Sequence, residues 1–131
     1  MLTLLFVSML TLAFNIQRVK ASGTIYIKAD GSIEGTTDIS TVDNVTYTFT
    51  DNIFNQSIIV ERDNIIVAGA GYTLQGTQSY DSIGITLSGR SNVTIKNTTI
   101  KNWTHGIVTT YSSGNTISNN TVTSNGEHAS F

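Results

Sequence analysis

Two consecutive segments of 22 residues resemble each other closely enough to indicate an internal repeat. Placing residues 84–105 over 106–127 gives seven identities, and an earlier segment beginning at Asp63 aligns with residues 91–102 at a spacing of 28. The identities are Gly84 with Gly106, Ile85 with Ile107, Ser91 with Ser113, Thr94 with Thr116, Ile95 with Ile117, Asn97 with Asn119 and Thr99 with Thr121. Short strands that recur at a fixed period are typical of a chain that stacks on itself. The repeat therefore predicts a parallel β-helix, each repeat forming one turn.

Apolar and polar residues alternate along the chain from Ser22 onward. Val45, Tyr47 and Phe49 alternate with threonines, and shorter runs of the same kind follow, separated by Gly, Asn, Asp and Ser. A period of two predicts half-buried strands, and no window shows the spacing of an amphipathic helix. We therefore expect an all-β fold. A β-sandwich with similar strands is the alternative, although a sandwich does not require a fixed period.

Stacked turns would place apolar side chains in inward columns. We predict three columns: Val67, Ile95 and Ile117; Tyr72, Ile100 and Val122; and Ile85 with Ile107. Asn97 over Asn119 predicts a ladder at a tight turn, because asparagine tolerates a left-handed backbone and its amide can bond to the next asparagine. Gly69 occupies that place in the earlier turn and also tolerates positive φ.

The first 21 residues differ from the rest. Residues 1–16 carry no charged side chain and are mostly apolar, and Val19 and Ala21 suit a small-residue cleavage site. We interpret residues 1–21 as a secretory signal peptide, and a secreted or cell-surface location follows. An uncleaved membrane anchor is the alternative, because Arg18 and Lys20 follow the apolar run and no lysine or arginine precedes it. The predicted organisation continues with an N-terminal cap and first strands over 22–56 and β-helix turns over 57–131.

Several runs of the sequence resemble a known family. The runs SIIVERDNIIVAGAGYTLQG, GITLSGRSNVTIKNTTIKN and NTISNNTV are similar to the repeats of pectate-lyase-like proteins, and most of all to the NosD-like group. The resemblance implies a right-handed, single-stranded parallel β-helix (the pectin-lyase-like fold) and an exported protein. We expect about three turns and an N-terminal cap strand. Because the fold hosts lyases, hydrolases and plain binding modules, the resemblance does not specify an activity.

The carboxylates are too scattered for the catalysis that this fold supports elsewhere. Glu61 and Asp63 flank Arg62, but a solvated turn in which Asp63 caps local backbone explains them. The turns at 84–105 and 106–127 contain no Asp, whereas a glycoside hydrolase of this fold needs paired Asp on neighbouring turns and a lyase needs clustered acids with a basic residue. We therefore expect no enzyme activity and no catalytic residue. The alternative is a fragment of a polysaccharide lyase or glycoside hydrolase whose catalytic turns lie elsewhere.

No cofactor or metal is expected either. Copper prefers His, Met and Cys ligands, and the chain after residue 21 offers only His105 and His128, both expected to be exposed. Nucleic acid is not an expected partner, because the net charge is −2 and no basic cluster is present. A membrane is expected as a partner only through the N-terminal segment, if that segment is uncleaved.

Exposed aromatic side chains are the candidate ligand-binding residues. Tyr80, Trp103 and Tyr111 lie next to predicted turns, and aromatic rings stack on the apolar faces of sugars. The simpler interpretation of Trp103 is that it covers a loop or a hydrophobic edge. We predict a structural or carbohydrate-binding module that contacts cell-surface polysaccharide. Among six Asn-x-Ser/Thr sequons, Asn44 and Asn55 are the predicted glycosylation sites, because they lie outside the stacked turns.

The last turn lacks an evident cap. The residues SNGEHASF follow it without closing it, so Ile117 and Val122 would face water or another chain. The sequence therefore predicts an open or truncated C-terminal end, with end-to-end self-association as its consequence.

Overall fold

A computed structural model describes residues 23–123, and these residues form strands and turns without a helix. The predicted signal peptide lies outside the described residues. No helix within 23–123 is long and apolar enough to cross a membrane. The strands are β1 (Gly23–Ile27), β2 (Ile33–Glu34), β3 (Ile39–Ser40), β4 (Thr46–Phe49), β5 (Ile53–Phe54), β6 (Gln56–Val60), β7 (Ile66–Ala68), β8 (Thr73–Gln75), β9 (Ile83–Ser88), β10 (Thr94–Lys96), β11 (Thr99–Lys101), β12 (His105–Thr110), β13 (Thr116–Ser118) and β14 (Thr121–Thr123).

The strands form three sheets, and the strands that lie next to each other in a sheet come from successive turns of the chain. Sheet A contains β1, β6, β9 and β12, sheet B contains β4, β7, β10 and β13, and sheet C contains β5, β8, β11 and β14. All these pairings are parallel. We call β1, β4 and β5 coil 1, β6–β8 coil 2, β9–β11 coil 3 and β12–β14 coil 4. This arrangement confirms the predicted parallel β-helix.

Inward side chains fill the space between the three sheets. Ile95 pairs with Val67 on one side and with Ile117 on the other, and Ile85 pairs with Ile107, as the repeat predicts. The column residues of coils 2 and 3 are fully buried, whereas Ile117 and Val122 in coil 4 are only partly buried. The core side chains are therefore shielded from solvent in coils 2 and 3 and become partly exposed in coil 4.

Tyr72 is not a column residue, and that prediction is wrong. Ile100 pairs with Leu74, which is fully buried, whereas Tyr72 is 37% exposed. The cause is the turn between β7 and β8, which spans residues 69–72 and has two residues more than the turn at 97–98. The column is therefore Leu74, Ile100 and Val122.

The segment between β1 and β4 folds over the first coil. Strand β2 pairs antiparallel with β1, and β3 pairs antiparallel with β4, so sheets A and B each end in an antiparallel strand. The buried Gln56 side chain donates from Nε2 to the Gly35 carbonyl at 2.8 Å, and the Tyr47 hydroxyl donates to the Gly31 carbonyl at 2.8 Å. Ile39 from β3 is buried in the core. This N-terminal cap protects the strand edges that coil 1 would otherwise expose.

Acid is expected to weaken the N-terminal cap through Asp43. Its Oδ1 accepts hydrogen bonds from the backbone N–H of Thr46 at 2.8 Å and of Val45 at 2.9 Å, and these bonds lower the pKa of the Asp43 carboxyl. A carboxyl whose pKa is lower in the folded chain than in the unfolded chain stabilises the fold at pH values above its ordinary pKa near 4. This stabilisation is lost as the pH falls through the folded-state pKa. Thermal unfolding should therefore show that the melting temperature falls less between pH 7 and pH 3 in Asp43→Asn than in the parent chain.

Asp81→Asn is the matched control for this experiment, because it removes one carboxylate from the distant loop before β9. Asp81 has a left-handed backbone that asparagine tolerates. If acid lowered the melting temperature equally in the parent chain and in Asp43→Asn, Asp43 would not be the source of the acid sensitivity.

Candidate functional site

The corners between the sheets are shaped by asparagines with a left-handed backbone. Asn97 and Asn119 have φ of 56° and 52°, as predicted for stacked turn residues. An asparagine side-chain ladder is found one corner earlier, where Asn92 Nδ2 donates to Asn64 Oδ1 at 3.0 Å. In coil 4, the Asn120 amide accepts from the Thr98 N–H at 3.0 Å and donates to the Ile95 carbonyl at 2.9 Å. The Asn120 amide therefore satisfies the N–H of Thr98, a backbone donor at the corner between β10 and β11.

Gly69 follows β7 as Asn97 follows β10. Its φ is not positive, so the prediction that glycine occurs here because it tolerates positive φ is wrong. Left-handed conformations occur instead at Ala70 and Gly71. A Cβ on Gly69 would lie 2.6 Å from the Asn97 carbonyl oxygen of the next coil. Glycine is required there because two coils approach closely.

The sequons follow from the same corner geometry. All six sequon asparagines have positive φ: Asn44, Asn55, Asn92, Asn97, Asn102 and Asn119. In each case the Ser or Thr two residues later is half-buried or exposed, in a strand or next to one. An asparagine at a left-handed turn, followed two residues later by an outward-facing Ser or Thr, therefore explains the Asn-x-Ser/Thr motif through the fold and without glycosylation. Asn44 and Asn55 are exposed, and their glycosylation stays a prediction.

Trp103 is buried, so the prediction that it faces outward is wrong. Only 4% of the residue is exposed, and indole Nε1 donates to the Leu74 carbonyl at 3.2 Å. The ring lies between two glycines: a Cβ on Gly76 would be 2.7 Å from Trp103 Cδ2, and one on Gly84 would be 3.2 Å from Trp103 Cδ1. The absence of side chains at these glycines makes room for the indole between sheets C and A. Trp103 therefore stabilises the corner and is unavailable to a ligand.

Tyr111 is exposed and has an unusual backbone. Its φ is 52°, in the left-handed region that a bulky residue rarely adopts, and it is 98% exposed. It lies at the corner between sheets A and B, immediately after β12. The equivalent residue of coil 3 is Gly89, with φ of 66° and open space where a side chain would start. A tyrosine thus occupies a position that suits glycine, and its ring projects into solvent.

Tyr80 lies at the opposite end of sheet A. It is fully exposed in the loop of residues 76–82 that leads into β9. Since β9 and β12 each contain six residues, the two tyrosines lie at ends of a face about 20 Å long. A row of half-buried outward residues crosses this face from coil to coil: Tyr26, Ile59, Thr86 and Val108. Tyr80, Tyr111 and this row constitute what we call the tyrosine-flanked face.

The acidic pair is engaged in structural contacts. Asp63 Oδ1 accepts from the Ser91 N–H at 3.0 Å and lies 3.4 Å from Arg90 Nη1, which also donates to the Glu61 carbonyl. Asp63 therefore caps the backbone of the next coil, not of its own turn. The Asp63 carboxylate and the backbone carbonyl of Glu61 therefore help to join coils 2 and 3.

His105 is half-buried, not solvated as expected. Its Nδ1 is buried, with no hydrogen-bond partner. Within residues 23–123, no group of three His, Cys, Asp or Glu side chains could hold a metal ion.

The sequence profile of one protein family matches this chain over residues 12–130. That family is described as NosD, periplasmic copper-binding protein. No curated protein matches the chain. No solved structure matches it either.

The family description implies copper, but the described residues do not fit that metal. Between residues 23 and 123 there is one histidine, His105, and neither methionine nor cysteine. One imidazole with a half-buried ring cannot supply the set of nitrogen and sulfur ligands that copper prefers. We therefore assign no chemistry to copper in this part of the chain.

Proposed function

The chain belongs to the NosD family of periplasmic copper-binding proteins, and from this premise we propose that it acts outside the cytoplasm as a non-catalytic module that binds polysaccharide. The tyrosine-flanked face of sheet A is the proposed binding surface. Aromatic rings contribute large contact areas at recognition surfaces, and their apolar faces suit the C–H faces of sugar rings. The length of the face suits an extended glycan better than a monosaccharide.

The backbone of Tyr111 is the observation that carries this proposal. A left-handed conformation costs an L-residue roughly 1–2 kcal/mol, which glycine at the same corner of coil 3 avoids. A strained residue with a fully exposed ring gains little from packing, so folding alone does not explain its presence. Strained backbone is concentrated at active sites and ligand-binding sites, which supports a recognition role for Tyr111.

Tyr111→Gly separates binding from stability in one variant. Because glycine removes the ring and accepts the backbone conformation, we expect glycan binding to fall about tenfold or more while the unfolding midpoint stays equal or rises. Binding is measured on a printed oligosaccharide array and, for each hit, by titration calorimetry. Tyr80→Ala should weaken binding of the same oligosaccharides.

Tyr72→Ala is the matched control, since it removes a partly exposed tyrosine from the corner between sheets B and C. Equal binding by the parent chain and Tyr111→Gly would contradict the proposed surface. A loss of binding in all three variants would indicate a general effect on the fold and would also contradict it.

A further inference from the structure

The three outer faces of the stack differ in charge. The parallel strands of sheet A, which form the tyrosine-flanked face, contain no Asp, Glu, Lys or Arg. Sheet B presents Lys96 from β10, and sheet C presents Lys101 from β11. Each lysine follows a fully buried isoleucine in its strand and therefore points outward. Within residues 23–123, the proposed binding surface is thus the outer face whose parallel strands carry no cation.

Two cations that border this face are held by carboxylates. Lys28 directly follows β1, and its Nζ lies 3.6 Å from Glu34 Oε1. Arg90 lies at the corner between sheets A and B, where Tyr111 lies in coil 4, and its Nη1 is 3.4 Å from Asp63 Oδ1. The carboxylate neutralises the cation in each pair, so neither pair gives the face a net positive charge.

The other charges at the ends of the face are negative in sum. Arg62 donates to the Ala29 carbonyl at 2.6 Å and is thereby directed into the N-terminal cap. Glu61 precedes it and directly follows β6, and Asp81 is exposed beside Tyr80 at the other end of sheet A. An anionic sugar chain on this face would therefore meet like charge at both ends. Along the parallel strands it would find no cation to replace the water that it loses.

The outward side chains of this face suit an uncharged sugar chain. Ile59 and Val108 lie in the row between the two tyrosines and offer apolar surface for the C–H faces of sugar rings. Ser88 pairs with Thr110 at exposed positions just before the corner of Tyr111. Their hydroxyls can donate to sugar hydroxyls and accept from them, and neither interaction needs a charged partner.

We infer that the polysaccharide bound by the tyrosine-flanked face is uncharged, carrying no uronate, sulfate or phosphate groups. This inference rests on the proposed function and specifies the chemical class of its ligand. Anionic groups are recognised most strongly by arginine and lysine, through charge-assisted hydrogen bonds. The described cations near this face are paired with carboxylates or directed into the N-terminal cap. An uncharged chain makes the aromatic, apolar and hydroxyl contacts without burying an unpaired charge.

Oligosaccharides that differ only in their carboxyl groups test the inference. Mannan oligosaccharides are compared with mannuronan oligosaccharides, and cello-oligosaccharides with their uronate counterparts, at about pH 8, where histidine is neutral. The same pairing is made for any other oligosaccharide that the array identifies. The parent chain should bind the neutral member about tenfold more tightly than the acidic member, or better. Its affinity for the neutral member should not change between about 0.05 and 0.5 M NaCl, because no ion pair with the ligand is screened.

Val108→Lys and Thr116→Lys form a matched pair of variants. The first adds a cation to the row between the tyrosines, and the second adds the same cation to the outer face of sheet B in the same coil. At low salt, we expect Val108→Lys to bind the acidic member about tenfold more tightly than the parent chain does. Thr116→Lys should bind it as the parent chain does. Circular dichroism establishes that both variants retain their strands.

The outcomes separate this inference from the proposed function. If the acidic member bound as tightly as the neutral member and Tyr111→Gly abolished that binding, the inference would be overturned and the proposed function would stand. Equal affinities of the two lysine variants for the acidic member would also overturn the inference. If the parent chain bound no oligosaccharide, both the inference and the proposed function would be wrong.

Discussion

Replacing Trp103 with alanine is expected to lower the free energy of unfolding by about 3–5 kcal/mol. The indole is buried between Gly76 and Gly84, and its N–H reaches the Leu74 carbonyl 29 residues away in the preceding coil. Alanine would leave a cavity at the corner between sheets C and A, and two glycines cannot fill it. Urea unfolding followed by circular dichroism measures the loss without depending on tryptophan fluorescence.

Trp103→Phe is the appropriate control, because it retains an aromatic ring and removes the N–H donor. We expect a smaller loss than for alanine, of about 1–2 kcal/mol, from the missing hydrogen bond and the reduced volume. A loss below about 1 kcal/mol for Trp103→Ala would mean that the indole lies on the surface, as a ligand-binding role for Trp103 requires. The measurement therefore decides whether this residue belongs to the fold or to a binding site.

The stacking of coils 3 and 4 could be predicted because their strands keep one spacing. Pairs such as Thr94 with Thr116 and Thr99 with Thr121 are separated by 22 residues in both sheets B and C. No insertion interrupts the chain between these strands, so aligned residues are also neighbours in space. The inward position of Ile95 and Ile100 then follows from alternation alone.

The error at Tyr72 shows what alternation cannot detect. Tyr72 and Leu74 are two residues apart, so a register displaced by two places an apolar residue inward in either case. The turn at residues 69–72 has two extra residues, and only the pairing of Ile100 with Leu74 reveals them. Strand patterns predict which face a residue occupies more reliably than they predict its neighbour.

Trp103 and Tyr111 could not be distinguished by sequence for a related reason. Both lie at corners, where the strand alternation is interrupted and apolar character says nothing about direction. The sequence did contain a signal for Trp103, since glycine occurs at positions 76 and 84, where coils meet around the indole. For Tyr111 the signal was its alignment with Gly89, a residue at a corner that takes a left-handed backbone. Both signals required knowledge of which residues are stacked.

Gly76→Ala is expected to cost about 2–3 kcal/mol of stability, although it adds only one methyl group. A Cβ at this position would lie 2.5 Å from the Asn102 carbonyl oxygen and 2.7 Å from Trp103 Cδ2. Neither distance is tolerable, so coils 2 and 3 must separate at this corner. That separation would strain the hydrogen bond from the Gly76 N–H to the Lys101 carbonyl, which is 3.0 Å long. Thermal and urea unfolding measure the change.

The double variant with Trp103→Ala identifies which contact matters. If the ring alone opposed the methyl group, Gly76→Ala would cost nothing once the indole is removed. The Asn102 carbonyl belongs to the backbone and cannot move aside. We therefore expect Gly76→Ala to cost about 1 kcal/mol less in the Trp103→Ala background than in the parent chain, and still well above zero. Gly89→Asn provides the control, since the site is open and asparagine tolerates its positive φ, so stability should change by about 0.5 kcal/mol or less. Equal losses for Gly76→Ala and Gly89→Asn would mean that the close approach of the two coils does not limit the residue at position 76.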